Sequence, residues 1–414
     1  MTEFYKKIPL IDCGVEPNSL TKKRKKKSRE YEQVSRFHQR SLQEVLGSKV
    51  IWGEKFGDYT ILFGSKSKKG IPTVHPDFFY LTEDEYSKER SMKVVGLLRL
   101  KQLYYTIKSS EFLLSHGLPT EHITSIDVIK SINGIEIEEI IRKLKYAAEV
   151  EMRTEFEDVF SEEELLEINE LLNHLDREKF AIIERSLPLS ERLRDVGKMD
   201  VGSTEEEKIK NREEFDKAMK RVFWWVNARN AILSKNEDKK TPEKIKYSVL
   251  GYNQETQSFK YDYKSESDIA YYFSYALPRM MGEYLAKMHN LGVAHGFATP
   301  HNWTLDGSLV DCDSIHGEPI NGIKITEDDI FQDLLHSAKT ILSYVLPDSS
   351  RNYILQEIIT KEMQEKLDEK KDGEEVSYIV LSYFFEEYYK FFRLKEGDVN
   401  SFLNKFDAWV EKNQ

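Results

Sequence analysis

The stretch at residues 292–314, GVAHGFATPHNWTLDGSLVDCDS, constrains this chain more than any other. It is entered from a helix, because Met281, Leu285 and Met288 recur at helical spacing, with Tyr284 and Lys287 between them. Gly292 ends that helix, and Val293-Ala294 predict a short extended piece. A polar loop containing Pro300 follows. Asp306-Gly307 is a two-residue hairpin signal between Trp303-Thr304-Leu305 and Ser308-Leu309-Val310, and the returning strand delivers Asp311 at its end. A tight hairpin of this kind brings the Asn302 amide oxygen and the Asp311 carboxylate onto one rigid support. Mg²⁺ takes hard oxygen ligands and keeps several waters, so a protein need supply only one or two groups. The competing reading is an ordinary hairpin whose Asn and Asp are turn residues.

Composition limits what surrounds this stretch. The chain has 414 residues, 40% of them hydrophobic and 12% aromatic, enough for a large core and most naturally for two lobes. A net charge of −11 does not favour nucleic acid or an anionic membrane as partner. Cys13 and Cys312 stand far apart and form neither a metal nor a redox spacing, which suits a reducing compartment. The first residues lack an apolar run of signal-peptide type, and no stretch approaches a membrane span. The expectation is a soluble cytoplasmic protein with a protein substrate or regulatory protein partner.

Several further segments have readable patterns. KKRKKKSRE, at residues 22–30, is a basic run expected to lead into a mixed helix through Leu46; it reads as a solvated segment and is given no function. Residues 58–65 are strand-like, KSKKG is expected to turn, and residues 71–81 read as extended again. This hairpin region lacks GxGxxG, and Gly53, Gly57, Gly64 and Gly70 are a weak signal. Residues 97–116 predict an amphipathic helix closed by Gly117 and Pro119, followed by a strand at 124–129. Residues 135–175 are acidic and helical, an insert with a solvated face. A strand at 179–185 leads into SLPLSERLRDVG, a candidate link between lobes. Residues 203–243 are charged and helical, with an apolar patch at 222–226 expected to be core. Residues 247–263 look like a hairpin, and the chain beyond Ser314 is helical, including 353–367 and 402–409.

Helix, loop, hairpin and terminal carboxylate together resemble the catalytic loop and metal-binding segment of a protein-kinase-like fold, in which an Asn and an Asp hold the divalent ions on a nucleotide's phosphates. Asn302 and Asp311 stand in those two places. Three stretches in combination resemble the selenoprotein-O family, kinase-like proteins that transfer AMP to hydroxyl side chains. The first is His295-Gly296, five residues, Asn302, then Asp311 at a strand end. The second is Ser110-Glu111-Phe112 through Gly117-Leu118-Pro119-Thr120. The third is residues 185–192, RSLPLSER, with Arg185 and Arg192 seven apart. The resemblance covers a small part of the chain, with the segments in the family's order. It implies a bilobal α+β fold: an N-terminal extension (1–48), a small mixed lobe (49–195, insert near 135–178) and a mainly helical large lobe (196–414). It further implies ATP and Mg²⁺ or Mn²⁺ as cofactors, Asn302 and Asp311 on the metal, and Arg185 and Arg192 on the phosphates. Guanidinium groups suit that task, since they clamp phosphate oxygens bidentately. Glu111 would be the helix partner of a phosphate-binding lysine.

The chain also departs from both patterns. A kinase has an Asp base two residues after the loop His, and here Phe297 holds that place; the family places an Asp immediately before the metal Asn, and here that residue is His301. A neutral imidazole can accept a hydroxyl proton, and it can equally hydrogen-bond within the loop; both readings stay open. Lys66, Lys68, Lys69, Lys88 and Lys93 all qualify by position as the phosphate lysine, and none stands in a convincing motif. Asp313 is a further metal ligand or a cap. The leading expectation is transfer of AMP to a protein hydroxyl. The alternatives are γ-phosphate transfer and a pseudokinase acting as a binding module.

Overall fold

The computed structural model describes residues 10–17, 28–32, 40–41, 51–70, 79–83, 90–94, 97–132, 134–143, 145–146, 178–194, 204–237, 266–345 and 376–392, with isolated positions in 166–175 and at 359, 361 and 408. Within these the chain is mixed α/β with small sheets. The strands are β1 (Leu10–Pro17), β2 (Ser28–Glu32), β3 (Arg40–Ser41), β4 (Trp52–Phe56), β5 (Tyr59–Phe63), β6 (Ser65–Lys69), β7 (Phe79–Glu83), β8 (Arg90–Val94), β9 (Leu98–Arg99), β10 (His122–Ile132), β11 (Ile135–Glu136), β12 (Phe180–Leu187), β13 (Val293–Ala294) and β14 (His316–Gly317). The longer helices are α1 (Leu100–Ser115), α2 (Glu205–Glu237), α3 (Leu277–Asn290), α4 (Glu327–Val345) and α5 (Val376–Phe391). Among the described residues no helix is long and apolar enough to cross a membrane.

The chain divides into two compact units. The first comprises Met1–Gly47, Ser65–Lys108 and His122–Leu187; the second comprises Ser48–Gly64, Ser109–Glu121 and Pro188–Gln414. The first is built on the sheet β2-β1-β10-β12-β6-β3, with β11 on β10 and β9 on β12. Its apolar core gathers Leu98, Leu103, Ile126, Ala181 and Ile183. Two expectations change here. The segment expected to form a mixed helix after the basic run instead contributes β2 and β3 to this sheet. KSKKG is not a turn but the strand β6, antiparallel to β12 with Ser67 opposite Arg185 and Lys69 opposite Ile183. The reason lies in pairing: Ser65, Ser67 and Lys69 alternate onto the buried face although none is apolar, and Ser67 Oγ accepts a hydrogen bond from Arg185 Nε at 2.9 Å. Periodicity arguments that count only apolar residues miss such a strand.

In the second unit β4 and β5 form a hairpin with five residue pairs. Ile61, Phe63 and Leu114 make its core, with Trp52, Phe56 and Tyr59 packed against them. Helix α1 stops where expected, with Gly117 at φ +80. A Cβ there would lie 2.5 Å from the Tyr59 ring, so glycine is required both by conformation and by space. Helix α3 is the central helix, buried along nearly its whole length from Leu277 to His289. It is continuous with a π-helical turn at Tyr272–Ala276. The patch in α2 is core as expected, with Val222, Phe223, Trp225 and Val226 buried. The hairpin expected at 247–263, most of the helices expected at 353–367 and 402–409, residues 22–27 of the basic run, most of the acidic insert and Lys88 lie outside the described residues, as does the side chain of Lys93.

Candidate functional site

The loop after α3 is held from below by one carboxylate. Buried Asp333 of α4 accepts from the backbone N–H of His295 at 2.6 Å and of Gly296 at 2.9 Å. His289 Nε2 donates to the same carboxylate at 3.2 Å, and its Nδ1 faces the Tyr388 hydroxyl at 2.8 Å. Burial pushes the Asp333 carboxyl up, but the hydrogen bond and nearby charge of His289, with the backbone N–H of His295, outweigh it and hold the group below the ordinary carboxylate range. Asp333 therefore stays an anion and an acceptor. His295, also buried, links the loop to the returning strand. Its Nε2–H donates to the Val310 carbonyl at 3.2 Å, while Nδ1 accepts the Phe297 N–H at 3.3 Å. A carbonyl only accepts and an N–H only donates, so these two contacts select one neutral tautomer.

The hairpin above this loop is tight. Trp303 pairs with Leu309, Thr304 N–H donates to the Ser308 carbonyl at 2.9 Å, and Gly307 takes φ +74 at the turn. Asp306 was expected only as a turn residue. It is instead fully buried and accepts from Trp225 Nε1 at 2.9 Å, Arg229 Nη1 at 3.1 Å and Thr304 Oγ1 at 2.6 Å. Beyond the turn the Val310 N–H donates to the Asn302 carbonyl at 3.0 Å. That bond sets Asn302 beside the chain just before Asp311. The Asn302 amide is oriented as well: its Nδ2 donates to the Phe297 carbonyl at 2.8 Å, which turns Oδ1 the other way. Asp311 takes φ +74, the only non-glycine residue in the left-handed region among those described. The conformation costs about 1 kcal/mol, although Asp tolerates it better than most residues.

Two further segments of the resemblance pack on this hairpin. Residues 191–194 run along 300–305: Leu305 N–H donates to the Glu191 carbonyl at 2.8 Å, Leu193 N–H to Trp303 at 3.1 Å and Arg194 N–H to Pro300 at 3.0 Å. Buried Arg192 donates through Nη1 to the His301 carbonyl. Arg194 Nη1 faces the His301 ring, within hydrogen-bonding reach of Nδ1 and 3.1 Å from Nε2. On the other side Thr120 Oγ1 donates to the Leu309 carbonyl at 2.7 Å, and Glu121 Oε1 accepts the Cys312 N–H at 2.8 Å. Burial first, then the carboxylates of Glu121, Asp311 and Asp313, pushes the Cys312 thiol well up, so it is a packing group rather than a nucleophile.

The structure thus brings Arg192, His301, Asn302 and Asp311 together, with Asp313 two residues on. Glu111 lies on the exposed side of α1, and among the described residues no ion pair joins it to a lysine. Arg185 belongs to the first unit, buried on β12; alternation along the paired strands places it on one face with Ser67 and Lys69. The carboxylate that sequence reasoning missed is Glu121, beside the Thr120 already noted. For a divalent cation the donor set fits in kind: an oriented amide oxygen and a carboxylate are hard ligands that leave positions for water and phosphate. Among the described residues no three His, Cys, Asp or Glu side chains converge to hold a metal by themselves. No protein-family model matches the chain, and the search of curated proteins gives no match to it.

Proposed function

We propose that this protein is a kinase-like, bilobal enzyme that transfers AMP from ATP to a protein hydroxyl. One observation carries the reading: the Val310-to-Asn302 backbone bond and the oriented Asn302 amide set two hard oxygen donors at the end of a hairpin onto which buried Arg192 docks. Asn302 and Asp311 would hold Mg²⁺ or Mn²⁺, which when bound neutralises phosphate charge. Arg192 fixes the loop carrying Asn302 and brings a permanent positive charge close to it. Transfer of this kind depends mainly on positioning and charge, so a site without a carboxylate at 297 or 301 can still work.

A specific observation also favours a second reading. The Arg194 guanidinium lies against the His301 ring, within reach of both nitrogens, and a permanent cation there disfavours the imidazolium that a general base would have to become. A module that binds nucleotide or a partner without transfer fits that contact.

The deciding experiment uses purified protein, Mg²⁺ or Mn²⁺, and ATP labelled at the α- or the γ-phosphate. Label retained from the α-position only, and lost in Asp311→Ala, is the expected result. Retention from the γ-position only would replace AMP transfer by phosphoryl transfer. No retention, with ATP still raising the melting temperature, would leave the binding module.

A further inference from the structure

We infer that the hydroxyl accepted at this site is a tyrosine phenol, received on an aromatic platform made by Phe297 backed by His336. The inference rests on the transfer reading above and names its acceptor. Phe297 is 52% exposed in an otherwise tightly bonded loop. Its backbone is fixed on both sides: the N–H donates to His295 Nδ1, and the carbonyl accepts from the Asn302 amide at 2.8 Å. The Phe297 backbone is therefore one hydrogen bond away from a metal-ligand candidate. The Phe297 ring stacks on the His336 imidazole, with centroids 5.9 Å apart and planes inclined by 20°. Burial, helped by Lys339, holds His336 below the usual imidazole range against the opposing Asp333 charge, so the backing ring is uncharged at neutral pH. A supported, exposed ring beside a phosphate site suits a second planar ring, and such stacking contributes about a three- to tenfold preference.

Acid strength points the same way. Phe297 and His301 occupy the two places where carboxylate bases stand in related patterns, so no carboxylate stands at either. A phenol ionises near pH 10 unaided, so about one in a hundred is phenolate at pH 8; an aliphatic hydroxyl gives far less. In the step, the phenol proton leaves to solvent and the phenolate oxygen forms a bond to the α-phosphorus of ATP. The bond from that phosphorus to the bridging oxygen breaks, and its electron pair departs with pyrophosphate.

The test uses the full chain, labelled ATP, and three peptide pools with identical random flanks whose single hydroxyl residue is Tyr, Ser or Thr. Expected is α-label on the Tyr pool at least about tenfold faster than on the others. Phe297→Ala should raise KM for that pool about three- to tenfold with kcat and the KM for ATP nearly unchanged, and Phe297→Trp should restore it. Equal α-labelling of Ser or Thr pools, or an unaltered KM in Phe297→Ala, overturns the inference and leaves AMP transfer standing. A γ-label confined to the Tyr pool and dependent on Phe297 supports the phenol acceptor while removing AMP transfer. No label on any pool overturns both.

Discussion

The second unit contains two hairpins that achieve the same turn by different physics. The β4–β5 hairpin is a regular ladder: five pairs, apolar side chains on one face, and a core of Ile61, Phe63 and Leu114. The 303–309 hairpin has a single bridge, Trp303 with Leu309, and is held by polar groups from distant elements, with Asp306 at their centre. An apolar contact tolerates small changes of shape, because dispersion and burial vary smoothly with volume. A buried carboxylate with three donors does not, because removing it strands the Trp225 N–H and the Arg229 guanidinium. The region that carries the proposed chemistry is thus the more rigid and the less forgiving of the two.

The largest test of this contrast is Asp306→Ala. It leaves Arg229 Nη1 and the Trp225 N–H without their acceptor, while the Thr304 hydroxyl keeps the Ser308 carbonyl, and should cost about 3–5 kcal/mol in denaturant unfolding. A loss under about 1 kcal/mol would show that the polar centre does not hold the hairpin. Gly117→Ala strikes the other hairpin from outside, forcing a left-handed alanine onto the Tyr59 ring; about 2–3 kcal/mol is expected. Ile61→Val, a small change in the apolar core, should cost only about 1 kcal/mol. If it costs as much as Asp306→Ala, the distinction between the two hairpins fails. Asp311→Gly should have the smallest effect on stability, unchanged or improved by no more than about 1 kcal/mol, since it relieves the left-handed backbone. The same variant should lose any metal-dependent rise in melting temperature with ATP. Marked destabilisation would show instead that the Asp311 carboxylate is a structural group.

Much of the backbone was legible in the sequence, and for identifiable reasons. Gly117 and Gly292 mark helix ends because only their conformation lets the chain reverse there, and the apolar spacing of α1 and α3 is a local signal. The patch at 222–226 reads as core because several large apolar residues are adjacent. Three features were not legible. Strand β6 has no apolar alternation; it exists because β12 offers it a partner and Arg185 offers a hydrogen bond to Ser67. Asp306 looks like any turn aspartate, since its partners Trp225 and Arg229 lie in another helix, far away in sequence. Glu121 carries no pattern of its own in the sequence, because its burial against the Cys312 N–H is a tertiary fact. In the site itself, the approach of Asn302 to Val310, next to Asp311, is what the hairpin spacing leads to, while the contact of Arg194 with His301 has no local signal.

The Asp333 arrangement has a spectroscopic consequence. Two imidazole protons, on Nε2 of His289 and of His295, sit in buried bonds to oxygens that can only accept. Solvent exchange of both should be slow enough for them to survive in water as separate low-field proton resonances, with ¹⁵N shifts reporting a single tautomer for His295. The His295 proton reaches the carbonyl of Val310, one residue before Asp311. Its chemical shift would therefore register any rearrangement of the hairpin end when nucleotide or cation arrives, with no label attached to the site.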